Sequence, residues 1–130
     1  MNTTVKALCV AVGLISVSSA AFAECSVATL KGHYTYWAQG VDADGNVVAE
    51  VGQEVFDGAG NVATTLSTAG SAEVTTDTAT YTVNTDCTGT STYASGATYL
   101  MHIAPSGDSF VFASSQANVI VAGENTRVGE

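Results

Sequence analysis

Proline is almost absent from this chain of 130 residues, with Pro105 the single copy. Positive charge is nearly as scarce: three Lys and Arg stand against 12 Asp and Glu. Leu, Lys, Arg and Glu, which usually cover helix surfaces, are thinly spread, and no window beyond the first 23 residues carries a helical hydrophobic period. Each shortage excludes something. A helical bundle lacks its building residues. An acidic surface repels nucleic acid and anionic lipid, so neither is expected as a partner. The longest apolar run, residues 7–17, is too short to span a bilayer and is broken by Gly13 and Ser16, so no membrane insertion is expected.

That run has another reading. Residues 1–6 are polar with one cation, the apolar stretch comes next, and Ala21-Phe22-Ala23 closes the segment in an A-x-A pattern. This is the order of a secretory signal peptide cut after Ala23. Glu24, directly before Cys25, is the wrong residue for a lipoprotein cleavage site. The expected protein is thus exported, to the periplasm or beyond the cell, as one domain over residues 24–130. Lys31 and Arg127 then face all 12 acids, a formal charge of −10.

Cysteine is also sparse. Cys9 belongs to the leader, which leaves Cys25 and Cys87. An even pair in an exported chain reads as one disulfide. It would tie the end of a middle strand to the start of the mature chain.

What is abundant is Thr, Val, Ser, Ala and Gly, a strand-like mixture. Turn signals recur near 42–46, 57–61, 69–71, 84–89, 95–96, 105–108 and 116–118. The runs between them predict strands over 29–40, 47–56, 61–68, 72–77, 79–85, 88–95, 97–104, 109–115 and 118–124, eight or nine in all. The polar tail, 124–130, is expected to fray. Regular short spacing of this kind points to an all-β fold, an antiparallel up-and-down barrel of about eight strands, with a β-sandwich as the alternative.

In 47–56 the alternation sets Val47, Ala49, Val51 and Val55 on a dry face, against a wet face of Glu50, Gly52 and Glu54 that ends in Phe56. The late runs are apolar on both sides. Tyr99, Met101 and Ile103 oppose Leu100 and Ala104, with His102 among the latter; Phe110 and Phe112 oppose Val111 and Ala113; Val119 and Val121 oppose Ile120 and Ala122. Two covered faces imply a packed lumen and an outer partner. A homo-oligomer joined through the C-terminal strands is the expected arrangement.

Motifs with chemistry are few. Asp42-x-Asp44-x-Asn46 starts like a calcium loop, but the sixth and twelfth positions are Val47 and Gln53, so it reads as a hairpin turn. Residues 57–61, D-G-A-G-N, read the same way. His33 and His102 lack partners at metal spacing, no G-x-S-x-G elbow is present, and no metal or cofactor is expected. Glu50 and Glu54 read as two solvated carboxylates. The aromatics say more. Tyr34, Tyr36, Phe56, Tyr99, Phe110 and Phe112, with Met101 beside them, would meet in the lumen of a closed sheet and surround a small apolar molecule.

Three segments, residues 25–34 (C-S-V-A-T-L-K-G-H-Y), 56–61 (F-D-G-A-G-N) and 81–90 (Y-T-V-N-T-D-C-T-G-T), together resemble a group of small secreted bacterial proteins. Those proteins share an L-K-G-x-Y strand, an F-D-G-x-G-N hairpin and a Y-T-V-N-x-D-C-T-G-T strand end. In strand order the group is similar to the allene oxide cyclase and dirigent type of eight-stranded barrel, with lipocalins a more distant likeness. A glycine expected before the third motif is replaced by Ala79. The resemblance implies the barrel and the disulfide, and it carries over no catalytic residue. A lumen-binding module is the reading adopted. The alternatives are a structural or adhesive surface subunit and a cyclase-like enzyme. A donor-strand pilin would need a free N-terminal extension, which a bond at Cys25 tethers.

Overall fold

A computed structural model describes residues 24–130; the expected leader, 1–23, lies outside them. Eight strands run antiparallel in chain order and close on themselves, β1 pairing both β2 and β8. They are β1 (Lys31–Val41), β2 (Val47–Asp57), β3 (Asn61–Thr68), β4 (Val74–Val83), β5 (Thr88–Tyr93), β6 (Thr98–Ile103), β7 (Ser109–Ser114) and β8 (Ile120–Gly129). The architecture is therefore the barrel expected from turn spacing, not the sandwich.

Alternation builds the wall. Along β1, Gly32, Tyr34, Tyr36 and Ala38 are buried while Lys31, His33, Thr35, Trp37 and Gln39 are exposed. The hairpins rest on twin aspartate turns. Asp42 Oδ1 accepts from the backbone N–H of Asp44 at 2.9 Å and of Asn46 at 2.8 Å. Asp57 Oδ1 does the same for Ala59 at 2.7 Å and Asn61 at 3.0 Å. The calcium-like D-x-D-G-N string is thus a self-contained Asx turn.

Two boundaries differ from expectation. The predicted pieces 72–77 and 79–85 are one strand, β4, because its period-two pattern runs unbroken and it pairs with β3 from Asn61↔Thr80 to Ser67↔Val74. The tail does not fray. β8 continues to Gly129, with Asn125 buried and Arg127 half-buried. Inward polar contacts, rather than apolar ones, hold that last turn of strand.

One end of the barrel is sealed. A short 3-10 turn, Val27–Thr29, lays Leu30 across the opening, fully buried. The Tyr81 hydroxyl donates to the carbonyls of Val27 and Leu30, each at 2.8 Å. Arg127 Nη2 donates to the Thr29 carbonyl at 3.1 Å and to Tyr34 Oη at 3.0 Å. Cys25 and Cys87 form the expected disulfide, with Cα atoms 5.0 Å apart. Above this plug lies the main core, centred on Phe56. Its ring meets Tyr34 at 5.1 Å, Tyr81 at 5.1 Å and Phe110 at 5.5 Å, all edge-on.

The face reading of β2 is reversed. Val47, Val51 and Val55 are exposed, at 84%, 60% and 39%, while Glu54 is 3% exposed and Phe56 2%. The expected dry face is the outside of the barrel. The wet face is the lumen, where partners from other strands satisfy the carboxylates.

Candidate binding site in the barrel lumen

Beyond Phe56, toward the end opposite the plug, the lumen is not filled. A cavity of about 130 Å³ remains, bordered at its mouth by Asp77, Ser95 and Ala97. Its walls depend on where glycine sits. Tyr36 is paired across strands with Gly52, Met101 with Gly89 and Phe112 with Gly123. A Cβ on Gly52 would lie 2.5 Å from the Tyr36 ring, and one on Gly123 would lie 2.6 Å from the Phe112 ring. Each large inward side chain is seated on a position with no side chain of its own.

Of the seven residues expected to surround a ligand, Tyr36, Phe56, Tyr99, Met101, Phe110 and Phe112 line the cavity. Tyr34 does not. It is fully buried in the sealed end, where its hydroxyl donates to the Gly107 carbonyl at 2.5 Å and accepts from Arg127. Tyr93, Asn125 and Leu66, missed from sequence, complete the lining with Glu50, Glu54 and Ser91. The expectation that Glu50 and Glu54 are solvated surface residues is overturned.

Glu54 is the hub. Its Oε1 accepts from the Thr64 hydroxyl at 3.1 Å and from the Tyr93 hydroxyl, and its Oε2 accepts from Asn125 Nδ2 at 2.6 Å. Burial pushes its carboxyl above the ordinary value of 4.5, while Tyr93, Asn125 and Thr64 pull it back. Both oxygens are occupied, so Glu54 is a fixed acceptor and poorly placed to shuttle a proton. Glu50 is the freer carboxyl: Tyr36 donates to it at a long 3.4 Å, and burial raises its value too. Burial, followed by the charge of Glu50 and Glu54 for Tyr36 and Tyr99 and of Glu54 for Tyr93, holds these three hydroxyls protonated above the ordinary 10.0.

These shifts fix a pH dependence. A carboxyl raised on folding retains protons that the unfolded chain would release. The stability contributed by Glu50 and Glu54 is therefore lost as pH rises from 4.5 through their higher folded values. Asp42, Asp57 and Asp86 act in the opposite sense. Hydrogen bonds from Asn46, Asn61 and Thr88 hold them below the ordinary 3.8, so their share is present above that value and lost as pH falls through the lower folded values. The ligand-free melting temperature should climb as pH drops from neutral toward 4.5, then fall below 3.8. Glu50→Gln should flatten the first limb and spare the second. An unchanged profile in that variant would remove Glu50 from the lumen.

Among the described residues, no group of three His, Cys, Asp or Glu is arranged to hold a metal ion. No helix among them is long and apolar enough to cross a membrane. No family model, curated protein or solved structure matches the chain.

Proposed function

We propose that this is an exported barrel protein that holds a small molecule with an apolar body in its lumen. The observation that carries the reading is the cavity itself. At about 130 Å³ it approaches the roughly 150 Å³ space that accommodates a benzene ring in a protein core. It is walled by Tyr36, Tyr99, Met101 and Phe112, and it stands over a tightly packed, sealed end. A plain structural core would be filled at both ends. The disulfide and the leader-like start of the sequence support export.

We further propose that a second copy of this chain covers the outer wall. Closure brings the C-terminal strands beside β1 and β2, and their outward residues line up in register. One row runs Leu100, Ala113, Ala122, Gln39, Ala49; the next runs His102, Val111, Glu124, Trp37, Val51. Leu100, Val111, Trp37 and Val51 are each about half exposed or more, at 53%, 51%, 47% and 60%. His102, Gln39 and Glu124 interrupt the rows, but four large apolar side chains this exposed are the kind of surface that a symmetric partner covers.

Native mass spectrometry of protein from its own host tests both readings. A retained small molecule supports the lumen site, and its absence from every preparation counts against it. A dimer or trimer that Val111→Lys converts to folded monomer supports the outer interface. A monomeric wild type at micromolar concentration would sink it.

A further inference from the structure

The lining of the cavity is chemically one-sided. Glu50, Glu54 and Asp77 border it, and no Lys, Arg or His does. The two cations of the described chain serve elsewhere: Arg127 binds the plug, and Lys31 lies at the sealed end beside Gly58. The carboxylates are therefore gathered in a partly dry space without a counter-charge. Around them the aromatic rings form a bracket, with the Tyr36 and Tyr93 hydroxyls donating to Glu50 and Glu54. Tyr99 meets Tyr93 at 5.8 Å and Phe112 at 5.2 Å, and Phe112 meets Tyr36 at 6.4 Å, each pair close to perpendicular. Perpendicular rings present both π-faces and edges, and π-faces attract cations.

A second, independent observation comes from Asn125. It is 1% exposed and lines the cavity. Its Nδ2 is committed to Glu54, and its Oδ1 has no hydrogen-bond partner. A buried acceptor in that state costs stability until a donor reaches it. The site thus offers an unmet acceptor, a loosely held carboxylate at Glu50 and an aromatic bracket. All three are complementary to an N–H-bearing cation.

We propose that the lumen ligand is a small organic cation, an ammonium group carried on a single apolar ring or chain of similar size. The inference rests on the lumen-binding reading and sharpens it. The ammonium lies between Glu50 and Asn125 Oδ1, and the apolar body packs among Tyr36, Tyr99 and Phe112. A bound cation also relieves the burial penalty on the two glutamates, since it supplies the charge that the lining lacks. An anionic ligand would add to three carboxylates and is disfavoured. A neutral one leaves them uncompensated.

The test titrates full-length mature protein with benzylamine, benzyl alcohol and benzoate at physiological ionic strength, read by calorimetry. Benzylamine is expected to bind about tenfold or more tightly than the alcohol, with benzoate weakest. Glu50→Gln should bring amine and alcohol level. Equal affinities in the wild type, or tighter benzoate, would overturn the cation and leave lumen binding standing. No binding of any of the three would overturn both. An amine preference that survives Glu50→Gln unchanged would place the cation on the acidic exterior and overturn the site. Should that variant fail to fold, the wild type still decides: intermolecular NOEs must connect the benzyl ring to Tyr99 and Phe112, and their absence in a binding sample refutes the placement.

Discussion

Replacing Cys25 with serine is expected to remove about 4 kcal/mol of folding stability. The bond joins residues 62 positions apart, so its loss frees a long loop in the unfolded chain. It also acts locally. Cys25 is 3% exposed, and its N–H donates to the Thr85 carbonyl at 3.2 Å, which pins the plug against the β4–β5 turn. Without the bond the Val27–Thr29 turn can lift, and Leu30 loses its cover. Amide exchange at Leu30 should accelerate more than exchange in β2 or β3. The backbone at Cys87 adds a finer expectation. Its φ is 65°, a left-handed conformation that side chains disfavour. In the bond-free background, Cys25→Ser with Cys87→Gly should therefore be more stable than Cys25→Ser with Cys87→Ser, by about 0.5–1 kcal/mol. Urea unfolding measures both differences. A loss below about 1 kcal/mol for Cys25→Ser would mean that the plug holds without the bond.

The disulfide is legible in the sequence because it needs only an even count and a compartment. The eight strands are legible because turn chemistry repeats where the chain reverses: Asp42 and Asn46 at one hairpin, Asp57 and Asn61 at the next. The candidate site is legible in part. Its aromatics obey strand parity, but its carboxylates defy the rule that lumens are dry. Glu54 is inside because Thr64, Tyr93 and Asn125 meet it there, from positions 10, 39 and 71 residues away. No local pattern displays partners at such distances. A usable signal does exist. Phe56 is one of the expected lumen aromatics, and a period of two carries Glu54, Gly52 and Glu50 inward with it. Polarity and parity conflict on this strand, and parity wins. Mid-strand glycine is the other missed sign: Gly52, Gly89 and Gly123 mark the positions over which large inward side chains lie. The outer apolar area is legible in the late strands alone, because its continuation through Trp37 and Val51 exists only once β8 pairs with β1.

Phe56→Ala should be the most damaging substitution in the lumen, at about 3–5 kcal/mol. The ring is 2% exposed and makes three edge-on contacts, with Tyr34, Tyr81 and Phe110, so its loss removes transfer energy and aromatic pairing together. Its position matters as much as its size. Phe56 belongs to the sealed core and also lines the cavity, so with Met101 and Phe110 it forms the partition between the two. The void left by alanine adds to a space of about 130 Å³ that is already open. The enlarged lumen should accept toluene, and toluene should raise the urea midpoint of Phe56→Ala more than that of the wild type. Phe56→Leu, which keeps most of the volume, should recover more than half of the lost stability. Combined with Cys25→Ser the cost reaches about 7–9 kcal/mol, within the whole margin of many domains of this size, and that double variant should not fold. A Phe56→Ala loss under about 1 kcal/mol, or no gain from toluene, would show that the ring does not separate core from cavity.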